Sequence, residues 1–99
     1  VGAAGTVLWQ GGKVISEENT SMKQAVSATK AVFKANGITL KGEVKKNNIV
    51  QLRGEDAGHT KIAVDVFELG PNNVRIEIRV GLGEEKTARA LLAQIKKRL

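Results

Sequence analysis

Between residues 38 and 80 the chain alternates apolar and polar side chains in four successive stretches, and this pattern restricts its fold more than any other feature. Ile38, Leu40 and Val44 alternate with Thr39, Lys41 and Glu43. Val50 and Leu52 alternate with Gln51 and Arg53. Ile62, Val64 and Val66 alternate with Lys61, Ala63 and Asp65, and Val74, Ile76, Ile78 and Val80 with Arg75, Glu77 and Arg79. A period of two with one apolar side describes half-buried strands. The links are Asn47-Asn48, Asp56-Ala57-Gly58 and Gly70-Pro71-Asn72-Asn73, all turn-forming residues. Links this short make neighbouring strands antiparallel.

The first hairpin carries a register expectation. A two-residue loop at Asn47-Asn48 sets Val44 opposite Gln51, on the polar side. A three-residue loop, Lys46 to Asn48, sets Val44 opposite Val50 and keeps the apolar side continuous. The longer loop is therefore expected, with Asn48 left-handed.

Two helices flank the strands. Ser21 stands three residues before Gln24, the capping-box spacing, and Val26, Thr29, Val32 and Phe33 follow at helical spacing, extended by Met22 and Ala25. Asn36-Gly37 ends this helix, predicted over 22–36. Glu84 and Glu85 open the second and Lys96, Lys97 and Arg98 close it, each charge suited to its end of the helix dipole. Ala88, Leu91, Leu92, Ile95 and Leu99 form its stripe. Before the first helix, Thr6 to Trp9 and Lys13 to Ser16 are strand-like, and Gly11-Gly12 between them marks either a hairpin turn or a bulge in one long strand. Two amphipathic helices and one apolar sheet side satisfy each other as two layers. The expected fold is α+β, a four- to five-stranded antiparallel meander with both helices on one side. A glycine- and alanine-rich leader spans residues 1–5, and a single domain spans 6–99.

Composition bounds the chemistry. The chain has 99 residues, enough for one domain. No cysteine is present, which excludes disulfide frameworks, thiolate metal sites and cysteine nucleophiles. No apolar run approaches the ~20 residues of a membrane-spanning helix. The chain opens on Val1, as expected of a processed piece. Its net charge of +6 favours anionic partners. The polar sheet side is expected to hold Lys41, Arg53, Lys61, Arg75 and Arg79 interleaved with Glu43, Glu55, Asp65 and Glu77, so that cross-strand pairs offset much of the charge.

No group of residues has catalytic spacing. His59, the one histidine, sits in a turn with no partner at ligand spacing. Glu55 and Asp56 are adjacent and point to opposite sides of a strand end. Gly81-Leu82-Gly83 precedes a helix, but Glu84 and Glu85 would repel a phosphate there. No catalytic residue, cofactor site or metal site is assigned. The cluster Lys96, Lys97 and Arg98 is the candidate contact for an anionic surface. A strip of Ala63, Phe67 and Leu69 is the candidate surface for the first strand or a partner to cover. Nucleic-acid sheets stack bases on exposed aromatics, and this chain has three aromatics in all, with Phe67 alone placed to face outward.

The strand-glycine-basic segment Trp9-Gln10-Gly11-Gly12-Lys13-Val14, the helix end Ala35-Asn36-Gly37-Ile38-Thr39-Leu40, and the closing segments Val74-Arg75-Ile76-Glu77-Ile78-Arg79-Val80-Gly81 and Ala90-Leu91-Leu92-Ala93-Gln94-Ile95-Lys96-Lys97-Arg98-Leu99 resemble a family of small bacterial lipoproteins classed as a domain of unknown function. The resemblance implies a lipidated cysteine upstream of the glycine-rich start and a place in the bacterial envelope, periplasmic and lipid-anchored. It implies no reaction. The expected function is a non-enzymatic, membrane-anchored binding or structural domain whose partner is an anionic membrane surface or an envelope protein. The alternative is a cytoplasmic nucleic-acid-binding or regulatory module using the basic surface.

Overall fold

The computed structural model describes residues 7–99; the expected leader lies outside them. The elements in chain order are β1 (Leu8–Gln10), β2 (Lys13–Glu18), α1 (Met22–Ala35), β3 (Thr39–Lys46), β4 (Ile49–Glu55), β5 (Lys61–Gly70), β6 (Asn73–Val80) and α2 (Glu85–Lys96). The strands form one antiparallel sheet in the order β1-β2-β6-β5-β4-β3. The sheet has six strands rather than four or five, because the N-terminal region contributes a hairpin of its own. Gln10 pairs with Lys13, and Gly11 and Gly12 between them have φ of 63° and 77°. A two-residue loop with both central residues at positive φ matches the twist of a hairpin, and glycine adopts it without steric cost. Of the two readings of the glycine pair, the turn is the one observed.

Both helices pack on the same side of the sheet. Ser21 caps α1 by accepting a hydrogen bond from the Gln24 amide at 3.1 Å. Thr29 is buried on the inner stripe, its hydroxyl donating to the Ala25 carbonyl at 2.8 Å. Asn36 ties the helices together: its Nδ2 donates to the Val32 carbonyl and to Gln94 Oε1, each at 2.7 Å. One core contains Ala25, Ala28, Val32 and Phe33 of α1, Ala88, Leu91, Leu92 and Ile95 of α2, and the inward residues of β2, β4, β5 and β6. Val50, Leu52, Ile62, Val64, Val66, Val74, Ile76, Ile78 and Val80 are all buried, as their alternation predicts.

Strand β3 departs from its expectation. Its hairpin to β4 has a two-residue loop, with Lys46 opposite Ile49 and Val44 opposite Gln51. The positive φ falls on Asn47, at 35°, and not on Asn48. Val44 is 46% exposed and Leu40 40% exposed, so β3 buries neither. The register also turns Glu43 to the helix side, where Lys30 of α1 meets it at 2.8 Å. Continuity of the apolar side selects a register only where that side is covered. Beside β3 the apolar side chains of α1, Met22 and Val26, stand across an open groove, and the group that reaches the strand is the Lys30 ammonium, so the shorter loop prevails. A bulge at Lys41, between Leu40 and Gly42, shifts the pairing further.

Candidate functional site

The side of the sheet away from the helices is covered by no element among the described residues. One row crosses all six strands: Leu8, Ile15, Glu77, Asp65, Gln51 and Val44. Glu77 and Asp65 are thus direct cross-strand neighbours, a destabilising pair unless cations intervene. They do intervene. Glu77 receives Lys13 Nζ at 2.6 Å and Arg75 Nε at 3.0 Å, and Asp65 receives Arg53 Nη1 at 2.7 Å. Arg79 donates to the Gly11 carbonyl at 2.7 Å, joining this face to the N-terminal hairpin. The expected charge interleaving is present here for Arg53, Asp65, Arg75 and Glu77, while Glu43 has left this side for the helix side.

The strip of Ala63, Phe67 and Leu69 is divided. Ala63 and Phe67 lie on this face, half-buried. Leu69 is exposed and sits in the bulge between Glu68 and Gly70. The first strand does not cover the strip: β1 extends the sheet beyond β2 instead of crossing its face. The Arg75 guanidinium lies 4.2 Å from the centroid of the Phe67 ring. A cation seated on that ring occupies the surface on which a base would stack.

His59 has a partner after all. Its Nδ1 lies 2.9 Å from Glu55 Oε2, four residues earlier. The Asp56 carboxylate accepts from the amides of Gly58 and Thr60 at 2.9 Å each, and the loop this tightens turns His59 to φ 67° and its ring back toward β4. The hydrogen bond to His59 holds the Glu55 carboxyl below the ordinary carboxylate range, against its partial burial, with help from the charges of Lys61 and Lys41. The histidine side chain is largely exposed, and among the described residues no three histidine or acidic side chains gather as a metal site would require. The glycine turn places the Glu84 carboxylate against Gly81, where a Cβ would come within 2.5 Å of it.

The cationic cluster at the end of α2 is unequal. Lys97 and Arg98 are exposed, but Lys96 turns partly inward, its ammonium 3.8 Å from Glu18 Oε2. Glu18 is 2% exposed and also accepts from the Ser16 hydroxyl at 2.5 Å. Alternation does not single out this buried carboxylate, which stands two residues beyond Ser16, the expected strand end, in phase with the buried Val14 and Ser16. Val7 lies against the same part of α2, sharing a depression with Arg89, Leu92, Ala93 and Lys96. Val7, the first described residue, thus lies beside Arg89 and Lys96, the residue that directly precedes Lys97 and Arg98.

Residues 1–98 match the model of a family described as "Protein of unknown function (DUF3568)". The chain belongs to this family. No curated protein matches the chain. In this DUF3568 domain none of the described helices is long and apolar enough to cross a membrane.

Proposed function

We propose that this DUF3568 domain is a non-catalytic binding or structural domain of the bacterial envelope, held beside a membrane by a lipidated segment upstream of its fold. The observation that carries the reading is the position of Val7 beside Arg89 and Lys96. An anchor entering at that point holds the end of α2 against the headgroups, with Lys97 and Arg98 exposed toward them. Basic side chains near an anionic surface contribute about 1 kcal/mol each. The anchor and the cations act on the same surface, and neither alone need be strong, because a single acyl chain binds only marginally and reversibly. The open sheet face then remains free for a partner.

Fractionation of a bacterium expressing the full-length protein, together with metabolic labelling by an alkyne fatty acid, tests this placement. Label and protein should appear together in the membrane fraction. A soluble, unlabelled cytoplasmic protein would overturn it and promote the nucleic-acid alternative.

A further inference from the structure

Strand β3 ends the sheet, and its outer edge has no neighbour among the described residues. Beyond the bulge at Lys41, from Gly42 to Lys46, every second residue aims its N–H and C=O away from β4, a template for another strand. Two of the exposed large apolar side chains, Leu40 and Val44, stand on this strand. Beside it, on the helix side, a groove of ≈ 570 Å³ separates the N-terminal half of α1 from Glu43 and Lys45, with Met22 and Val26 contributing apolar surface.

The charges decide what such an edge accepts. Lys41, Lys45 and Lys46 are all exposed on β3, and the groove is lined by Lys23, Lys30 and Lys45 against Glu43 and Glu68, so cations outnumber carboxylates there. Glu43 is already engaged by Lys30 at 2.8 Å, with Lys45 at 4.0 Å. Lysines on an edge guard it against pairing with a second copy. That guard is electrostatic, and opposite charge removes it. We propose that the edge of β3 receives an extended, acidic segment of another protein as a seventh strand. The main chain of that segment pairs with β3. Its side chains alternate between the groove, near Met22 and Val26, and the open face, near Val44, while its carboxylates meet the lysines. This inference goes beyond the envelope placement and does not depend on it.

The probe is a fluorescein-labelled peptide of alternating valine and glutamate, titrated with the intact domain and read by anisotropy, with amide hydrogen exchange in parallel. Saturable binding is expected, with new protection confined to β3 amides. The triple variant Lys41→Glu, Lys45→Glu, Lys46→Glu changes exposed side chains only. It should weaken this peptide roughly tenfold, as reversal of several cross-strand charge pairs requires, and should gain binding to a valine–lysine peptide. Lys97→Gln with Arg98→Gln should leave peptide binding unchanged, which separates this edge from the membrane-facing end. Absence of saturable binding up to millimolar peptide, equal binding of the valine–lysine peptide by the unaltered domain, protection elsewhere than β3, or self-association through β3 would each overturn the proposal.

Discussion

Phe33 is the largest side chain that α1 places in the core, 2% exposed, and it lies over Gly54 of β4. A Cβ on Gly54 would fall 2.6 Å from Ile38 Cγ2 and 2.8 Å from Phe33 Cε2. The glycine is thus a seat for the ring rather than a break in the strand. Phe33→Ala should destabilise the domain by about 3–5 kcal/mol, the range for truncating a buried phenylalanine; urea denaturation measures this, and a loss below about 1 kcal/mol would show that the ring is not packed. Gly54→Ala should cost about 1–3 kcal/mol through overpacking. If Phe33 is the obstacle, Gly54→Ala combined with Phe33→Leu should lose less than the sum of the two single changes. Glu18 shows the opposite economy: a carboxylate is tolerated in the interior because Ser16 donates to it and Lys96 stands 3.8 Å away.

Among the elements, β3 differs most from its neighbours. Its position at the edge leaves it one pairing partner, and α1 reaches it chiefly through the Lys30–Glu43 pair. That pair holds the Glu43 carboxyl below the ordinary carboxylate range, the Lys30 hydrogen bond first, opposed by burial and helped by the charges of Lys30 and Lys45. A carboxyl with a lowered folded-state pKa binds its proton more weakly when folded. Its contribution to stability is therefore complete above the unfolded-state value and lost as the pH falls through the folded-state value. Urea midpoints should show Glu43→Gln less stable than the unaltered domain at neutral pH, with the difference closing as the pH falls through the folded-state value, below the ordinary carboxylate range. A difference that persists undiminished at acid pH would mean that Glu43 acts by packing and not by charge.

For the whole molecule, the positive charge is distributed by the fold into two kinds of site. On the open sheet face much of it is engaged: Lys13 and Arg75 serve Glu77, Arg53 serves Asp65, and Arg79 is held by the Gly11 carbonyl. At the end of α2 and on the edge of β3 it is available. Membrane attraction should therefore come from Lys97 and Arg98, with little from Lys96, which is engaged with Glu18. Co-sedimentation with phosphatidylglycerol-containing vesicles at low salt should fall about 30-fold for Lys97→Gln with Arg98→Gln, corresponding to roughly 2 kcal/mol. Adding Lys96→Gln should change it little further. Binding that persists on pure phosphatidylcholine, or that ignores salt, would contradict an electrostatic contact.

Both helices, the four central strands and the inner side of those strands are legible in the order of residues alone, except along β3. Alternation at Val74, Ile76, Ile78 and Val80 and helical spacing at Val26, Thr29, Val32 and Phe33 are local signals, and burial enforces them wherever both layers meet. The Asn36-Gly37 stop and the Ser21 cap are equally local, since each acts within one turn of chain. The register of β3 follows from long-range packing, because α1 leaves an open groove along that edge and Val44 loses little by facing outward. The tertiary structure alone revealed the buried Glu18, whose partner Lys96 is remote in sequence, and the groove beside β3, which exists only where α1 and the sheet diverge. Of the cationic cluster, composition identified the residues, but which of them remain free depended on long-range pairing, and such pairs have no periodicity for a sequence to display.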